Sequence, residues 1–176
     1  LVLPKTLLIE ENYEKLVTLA EECKIPVIYI KAGDKLLAGQ LELTCLHPKA
    51  DYSAEDSNSY STVLEVEYGE FKALLTGDMG IKEEKLLLEN GMLQDVLLLK
   101  VAHHGSKNSS CEEFLQCVQP ELAIISAGKD NSYGHPHKDT LERLDDVGSK
   151  VMSTAEYGGI TVEVEGGKVR ADGYVR

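Results

Sequence analysis

The chain has 176 residues and a net charge of −12, with 43% hydrophobic and 27% charged residues. Apolar segments recur along its whole length, which is typical of one globular domain and excludes a disordered acidic segment. The acidic charge disfavours a protein that merely coats nucleic acid, and no apolar run approaches the ~18 residues of a membrane span.

The start of the chain shows no signal-peptide pattern. Because its first residue is Leu1 rather than Met, we expect the sequence to be a segment of a longer protein.

Four cysteines (Cys23, Cys45, Cys111, Cys117) match neither a zinc ribbon nor a dense disulfide framework, so we expect reduced core thiols.

Alternating helix and strand patterns predict a single α/β domain over residues 1–176. Apolar residues at helical spacing predict a helix at 11–23, and the polar, turn-rich stretch 49–61 predicts a loop. Strands are predicted at 27–30, 34–38, 40–46, 62–68, 71–77, 95–102, 121–127, 150–154, 159–165 and 168–174. Further helices are predicted at 81–89, at 110–119 behind a capping box of Ser110 and Glu113, and at 136–147 with Pro136 in the first turn.

Four of the five histidines form two tight clusters, each directly after a predicted buried strand. His103 and His104 make one cluster, His135 and His137 make the other, and Asp78 follows a third strand in the same way. In α/β sheets, ligand and catalytic groups gather beyond the carboxyl ends of strands. Imidazole and carboxylate are ligands of zinc, manganese and iron, so the pattern predicts a metal site at this edge.

Each signal also has a purely structural interpretation. The aspartate could cap the following helix, the adjacent histidines could form a turn, and the second pair could only help to start a helix. The coincidence of all three favours the metal site.

The segment from His135 to Thr140 (HPHKDT) looks like an H-x-H-x-D-H metal motif with its last histidine replaced. Because Asp139 and Thr140 fall inside a predicted helix, we treat His135 and His137 as a separate element.

The loop after His104 is rich in backbone and hydroxyl donors, which suits a phosphate or carboxylate. Residues 100–138 carry four basic and four acidic residues, so this stretch is neutral in an acidic chain. An anionic substrate would meet the least repulsion here. The candidate substrate-binding residues are Ser106, Lys107, Asn108, Ser109 and Tyr133.

The runs LLTGDMG, DVLLLKVAHHGSKNSS and LAIISAGKDNSYGHPHKDTLERL, in this order, resemble the ComEC family of DNA-internalisation competence proteins. The similarity is to the C-terminal metallo-β-lactamase-fold domain of that family and covers essentially the whole chain. It implies a four-layer αββα sandwich with two metal ions, zinc or manganese, at one edge. It further implies that Asp78 bridges the two metals, that His104 is a ligand with His103 as a ligand or close neighbour, and that His135 and His137 contact substrate or leaving group.

The family's H-x-H-x-D-H signature, which supplies most of the metal ligands, is absent from this sequence. By the resemblance, the chain corresponds to the latter two thirds of the domain, with Ser57, Asn58 and Ser59 where a further ligand histidine is usual. We therefore expect at most weak binding of one ion and no catalysis by this chain alone. We also expect copies to associate through the truncated edge.

The resemblance implies a metal-dependent phosphodiesterase or nuclease acting on DNA. It would be a soluble domain of a membrane-embedded bacterial protein, on the extracytoplasmic side. Two alternatives stay open: a non-catalytic domain that binds DNA or a transport partner, and a stand-alone soluble hydrolase of the same fold. The upstream coding sequence separates them: an H-x-H-x-D-H within ~70 residues favours the hydrolase, and a start codon there favours the non-catalytic domain. Membrane spans further upstream would exclude a stand-alone protein.

Overall fold

The computed structural model describes residues 1–5, 11–54 and 56–174. The central strands are β3 (Lys35–Ala38), β4 (Leu41–His47), β5 (Val63–Tyr68), β6 (Phe71–Leu75), β7 (Leu98–Lys100), β8 (Leu122–Ile125) and β9 (Lys150–Ser153). They form one seven-stranded sheet in sequence order. The strands from β3 to β6 pair antiparallel, and those from β6 to β9 pair parallel. The parallel half therefore brings the carboxyl ends of four strands to one edge of the sheet.

Three helices connect the parallel strands, as parallel pairing requires a crossover. They are α2 (Ile81–Glu89), α3 (Glu112–Val118) and α4 (Lys138–Asp146). These helices cover one face of the sheet with a core that includes Leu74, Leu99, Phe114 and Leu115. Burial of such side chains contributes ~1.5–3 kcal/mol each and fixes the strands whose ends carry the candidate site.

A β-hairpin covers part of the opposite face. Its strands are β10 (Gly159–Glu165) and β11 (Lys168–Tyr174), and the single-turn helix α5 (Thr154–Tyr157) precedes them. Ile160, Val162 and Ala171 pack on the central sheet, while the intervening residues of β10 are exposed, as alternation in a half-buried strand requires. The described residues thus form a helix layer on a sheet that faces a second, smaller sheet, and the predicted α/β class is confirmed.

The first residues form a separate unit in which α1 (Glu11–Glu22) connects β1 (Val2–Pro4) to β2 (Ile28–Ile30), two paired parallel strands. Several of its apolar side chains are exposed: Val2, Leu16, Leu19, Ile25 and Ile28. Exposed apolar side chains of this kind suit the expected association of copies, which stays a prediction. No helix within the described ranges is long and apolar enough to cross a bilayer.

Two local predictions are wrong for reasons that the packing supplies. Cys23 is exposed because α1 ends at Glu22 and Cys23 lies in the turn beyond it, whereas Cys45 and Cys111 are buried, Cys117 is half-buried, and all four thiols are free. The predicted capping box does not form, since α3 has Cys111 as its N-cap and Glu84 from α2 accepts the backbone N–H groups of Ser110 and Cys111, just before the helix.

The start of α4 also differs from the prediction. Pro136 lies before the helix, whose N-cap is His137 and whose first residue is Lys138. This placement leaves the imidazole of His137 at the end of the loop rather than within a helical turn.

The remaining histidine, His47, has a structural role. Its ring is buried and its Nε2 lies 2.8 Å from the carbonyl oxygen of Ser59, while Tyr52 packs against it edge to face. Burial lowers the pKa of His47, so the ring is a neutral donor to that carbonyl. The polar loop at 49–61 is therefore tied to the core, and its hydroxyl and amide groups hold it in place.

Candidate metal centre

Asp78 and His104 converge at the carboxyl edge of the sheet. Asp78 follows β6, His104 follows β7, and these strands are parallel neighbours. His104 Nε2 lies 3.6 Å from Asp78 Oδ1. Two ligands that each lie ~2.1 Å from one tetrahedral ion are ~3.4 Å apart, so this spacing fits a shared metal ion. The predicted convergence is confirmed, while the roles of the two residues as ligands stay a prediction.

The ring of His104 is oriented by the next strand. Its Nδ1 lies 2.6 Å from the backbone carbonyl oxygen of Ser126, directly beyond β8. A carbonyl oxygen only accepts hydrogen bonds, so Nδ1 carries a proton, and in the neutral tautomer Nε2 then presents its lone pair. Metal-binding histidines are commonly held by such a bond from the other ring nitrogen. His104 therefore has the tautomer and the orientation of a metal ligand.

Asp78 is positioned by the turn that precedes α2. Its backbone N–H donates to Ser61 Oγ at 2.9 Å. Gly77 has φ +56°, and a Cβ there would lie 2.8 Å from Ser61 Cβ, so only glycine allows this approach. Since Gly80 is the N-cap of α2, Asp78 does not cap the helix and its carboxylate is free to face His104.

The two adjacent histidines have left-handed backbone conformations. The φ values are +48° at His103 and +56° at His104, and the turn is held by the bond from His103 N–H to Gly77 O at 3.1 Å. Left-handed conformations cost non-glycine residues ~1–2 kcal/mol each, and such strain collects at functional sites. This turn therefore lowers the stability of the fold, and it directs the two imidazoles toward the same edge of the sheet.

The second pair of histidines lies beside the first. The ring centroid of His135 is 5.8 Å from that of His103, 6.3 Å from that of His104 and 4.8 Å from that of His137. Partial burial, together with the neighbouring imidazoles, lowers the pKa of His135 and keeps it neutral at pH 7. The structure thus brings together all four histidines that the sequence singled out, with Asp78 close by.

His137 has the opposite tautomer to His104. The backbone N–H of Lys107 donates to His137 Nδ1 at 3.2 Å. In the neutral ring the proton then resides on Nε2, which makes this atom a hydrogen-bond donor and not a free lone pair. His137 therefore suits a contact to substrate or leaving group better than a metal.

Four of the five residues proposed to bind substrate lie in the loop after His104 and fall into two groups. Ser106 and Ser109 are buried, and Ser109 Oγ donates within the loop to the carbonyl oxygens of Ala102 and Ser106. This burial argues against direct substrate contacts by the two serines, which order the loop instead. Lys107 and Asn108 are exposed on the outer side of the same loop, where an anion can reach them.

The incomplete H-x-H-x-D-H match is not a metal site. Asp139 is exposed in the first turn of α4, and Thr140 is buried with its hydroxyl donating to Ser106 O at 2.9 Å. The treatment of His135 and His137 as a separate element agrees with this geometry.

Gly105 sets the distance between the two histidine loops. It has φ +81°, and a Cβ at this position would lie 2.7 Å from Pro136 Cβ. We expect Gly105→Ala to displace the segment that carries His135 and His137 and to lower the free energy of unfolding by ~2 kcal/mol or more. Gly134→Ala is the matched control, because Gly134 has φ +69° but nothing within 4 Å of its Cβ position. Equal losses in the two variants, measured by denaturant unfolding, would show that close packing at Gly105 is unimportant.

Four further residues support the site and were not predicted. Ser61 and the carbonyl of Ser126 hold Asp78 and His104, and Asn131 ties the loop that carries His135. Lys100, at the end of β7, donates to Val101 O at 2.9 Å; burial lowers its pKa, and the nearby Asp78 partly offsets that effect. Only Asn131, within the turn-rich run KDNSYG, gave a sequence signal, since asparagine commonly bonds to nearby backbone in turns.

The residues present supply part of the coordination sphere of one metal ion. Asp78 and His104 supply an oxygen and a nitrogen at ligand spacing. Across the described part of the chain, however, no group of three or more histidine, cysteine, aspartate or glutamate side chains is arranged to hold a metal. A full coordination sphere therefore needs ligands beyond this pair.

Comparisons with known proteins agree with the sequence resemblance. No protein-family model matches the chain. It is 39% identical over 160 residues to ComE operon protein 3 of Bacillus subtilis, covering 91% of this chain and 20% of that protein. It is 41% identical over 105 residues to Recombination protein 2 of Haemophilus influenzae, covering 60% and 13%. It is also 37% identical over 117 residues to competence protein ComA of Neisseria gonorrhoeae, covering 66% and 17%. The chain thus spans about a fifth or less of the length of these relatives.

Solved structures show the fold. The metallo-β-lactamase fold protein YhfI of Bacillus subtilis matches with a TM-score of 0.50 and 12% identity, covering 92% of this chain and 62% of that one. CmlA, a diiron β-hydroxylase from Streptomyces venezuelae, matches with a TM-score of 0.52 and 12% identity, covering 77% and 35%. At such identity the likeness concerns the fold alone. Taken with the curated relatives, it identifies the chain as a metallo-β-lactamase-fold segment that belongs to the ComEC family of competence proteins.

Proposed function

We propose that this chain carries part of the active site of a metal-dependent phosphodiesterase or nuclease, with Asp78 and His104 as ligands of zinc or manganese. The observation that carries the proposal is the His104 ring, held through Nδ1 by the carbonyl oxygen of Ser126 with its Nε2 atom 3.6 Å from Asp78 Oδ1. If the complete site takes two metal ions, Asp78 would be the carboxylate shared between them, His103 would lie next to them, and the remaining ligands would come from outside this pair.

Each of the chain's own site residues has a separate role in the proposed reaction. A divalent ion in such a site stabilises the charge that develops on a phosphodiester. Asp78 and His104 would hold that ion at the sheet edge, and the exposed Lys107 attracts the phosphate. His137 presents an Nε2–H donor to the leaving-group oxygen, while the neutral His135 lies between His137 and the first histidine pair.

The substrate that we propose is DNA. One curated relative is named a competence protein, and residues 100–138 are neutral within an acidic chain, which favours an anion at this edge. We further propose that the domain acts on the extracytoplasmic side of a bacterial membrane, as part of a larger membrane-embedded protein. Association of two copies through the truncated edge belongs to the same proposal.

A non-catalytic role in binding DNA or a transport partner is the second candidate. It is favoured by one observation, that the described residues bring together only two side chains at ligand spacing. In that case binding would persist in a chelator and no variant of the site would change a hydrolysis rate.

The test compares this chain with the complete gene product in an oligonucleotide hydrolysis assay with manganese or zinc. We expect no hydrolysis by the 176 residues alone and metal-dependent hydrolysis by the complete product. His137→Asn keeps an acceptor for Lys107 N–H but removes the Nε2 donor. It should therefore lower turnover by about 100-fold, the scale of general acid catalysis, with metal content unchanged. Loss of metal in this variant would make His137 a ligand, and robust hydrolysis by the short chain would show that the pair suffices.

A further inference from the structure

Three aromatic rings form a near-parallel stack that leads from the candidate metal ligand to the protein surface. The His104 and His135 rings are 6.3 Å apart with 18° between their planes. The His135 and Tyr133 rings are 5.8 Å apart with 21° between theirs. The outermost ring, Tyr133, is 77% exposed and has a face open to solvent.

The loop that carries Tyr133 is held by one side chain. Asn131 Oδ1 accepts the backbone N–H groups of Tyr133 at 3.2 Å and His135 at 3.0 Å. Asn131 Nδ2 donates to the carbonyl oxygens of Gly128 at 2.9 Å and His135 at 2.6 Å. Four bonds from one amide fix a loop whose tip is an exposed aromatic ring. An ordered exposed ring loses little conformational entropy on binding, so it is suited to a flat ligand.

A shallow depression connects the ring to the site. Its lining includes His104, Ser126, Asn131, Tyr133 and His135, and its volume is about 280 Å³. A ligand that lies against Tyr133 can therefore extend along the depression and reach the edge where Asp78 and His104 meet.

We propose that Tyr133 is a stacking platform for an unpaired nucleobase, and that the site takes single-stranded nucleic acid. The inference rests on the proposed phosphodiester chemistry and names its substrate class. With one base stacked on Tyr133, the sugar-phosphate backbone follows the depression to Asp78 and His104. A base paired in a duplex is covered by its neighbours and does not offer a face to the ring.

Stacking on an aromatic ring provides binding energy that does not depend on the net charge of this protein. A chain with a net charge of −12 gains little from long-range attraction to phosphates. Contact between a base and an aromatic ring is independent of charge and is tolerant of sequence. The platform thus holds a strand that the acidic surface would otherwise repel.

The test measures binding in chelator, so that it is independent of hydrolysis. Dye-labelled single strands are titrated with the wild-type protein, Tyr133→Ala and Tyr133→Phe, and binding is followed by fluorescence anisotropy. Tyr133→Ala should weaken binding by about 5- to 100-fold, the loss expected for one stacked base, and Tyr133→Phe should restore it. A strand of the same length made of abasic sites should bind the wild type and Tyr133→Ala equally.

Tyr68→Ala is the matched control. Tyr68 is half-exposed and pairs with Phe71 at the start of β6, at the opposite end of that strand from Asp78. Its replacement should leave binding unchanged. Wild-type affinity in Tyr133→Ala, an equal loss for abasic strands, or no binding of single strands by the wild type would each overturn the platform. Tyr133-dependent binding without hydrolysis by the complete gene product would keep the platform and refute the proposed hydrolase.

Discussion

Asp78→Asn should remove divalent-metal binding by this chain and lower hydrolysis by the complete gene product about 1,000-fold or more. The substitution keeps the side-chain shape and the backbone bond from residue 78 to Ser61 Oγ. It removes the negative charge that faces His104, and loss of one preorganised electrostatic contact alone lowers turnover by ~10²–10³. A bridging carboxylate also holds the metal itself, so the larger figure is expected.

Calorimetric titration with zinc or manganese checks the metal part of this prediction. The wild-type chain should bind at most one ion weakly, and Asp78→Asn and His104→Ala should bind none. Asp139→Asn is the matched control, because this aspartate is exposed on α4 and lies in the incomplete motif. Two ions bound at submicromolar affinity by this chain, or metal loss in Asp139→Asn, would refute the assignment of ligands.

Glu84→Ala should cause the largest loss of stability, ~2–6 kcal/mol. Glu84 is fully buried, and its two carboxylate oxygens accept the backbone N–H groups of Ser110 and, at 2.8 Å, Cys111. Removing the carboxylate leaves both donors buried without partners, at ~1–3 kcal/mol each. Burial raises the pKa of Glu84, while hydrogen bonds from the same N–H groups lower it. The two N–H groups therefore stabilise the ionised form of the carboxylate.

Denaturant unfolding measures this loss, with Glu89→Ala as the control on the exposed end of the same helix. Glu84→Gln should fall between the wild type and Glu84→Ala, since an amide offers one acceptor where two are needed. A loss below about 1 kcal/mol for Glu84→Ala would mean that water or relaxation satisfies the freed amides. The consequence for the site is direct, because the loop that ends at Ser110 carries Lys107 and follows the two adjacent histidines.

Most of the sheet could be predicted from sequence because its strands have strong local patterns. The hairpin turn at Gly69 and the helix Ile81–Glu89 lie where apolar spacing and turn residues indicate them. The meeting of Asp78 and His104 followed from one topological rule, that parallel neighbours end at the same edge. This prediction did not depend on how the side chains of the core pack.

The features that could not be predicted depend on partners distant in sequence. Ser110 looked like a helix cap, yet Glu84 supplies the acceptors from another helix, and Ser110 Oγ is buried without a partner among the described residues. Ser106 looked like a substrate contact because its burial leaves no mark in the sequence. The Ser126 carbonyl that orients His104 is a backbone atom, which any residue type could provide.

The central claim is that His104 presents a lone pair to the metal whereas His137 presents a proton to the substrate. Long-range ¹⁵N–¹H NMR of the imidazoles measures both tautomers directly, before and after zinc is added. His104 should carry its proton on Nδ1 and show a zinc-dependent shift at Nε2, while His137 should carry its proton on Nε2 and be unaffected. A His104 ring protonated at Nε2, or a zinc-dependent shift at His137 in place of His104, would contradict the account.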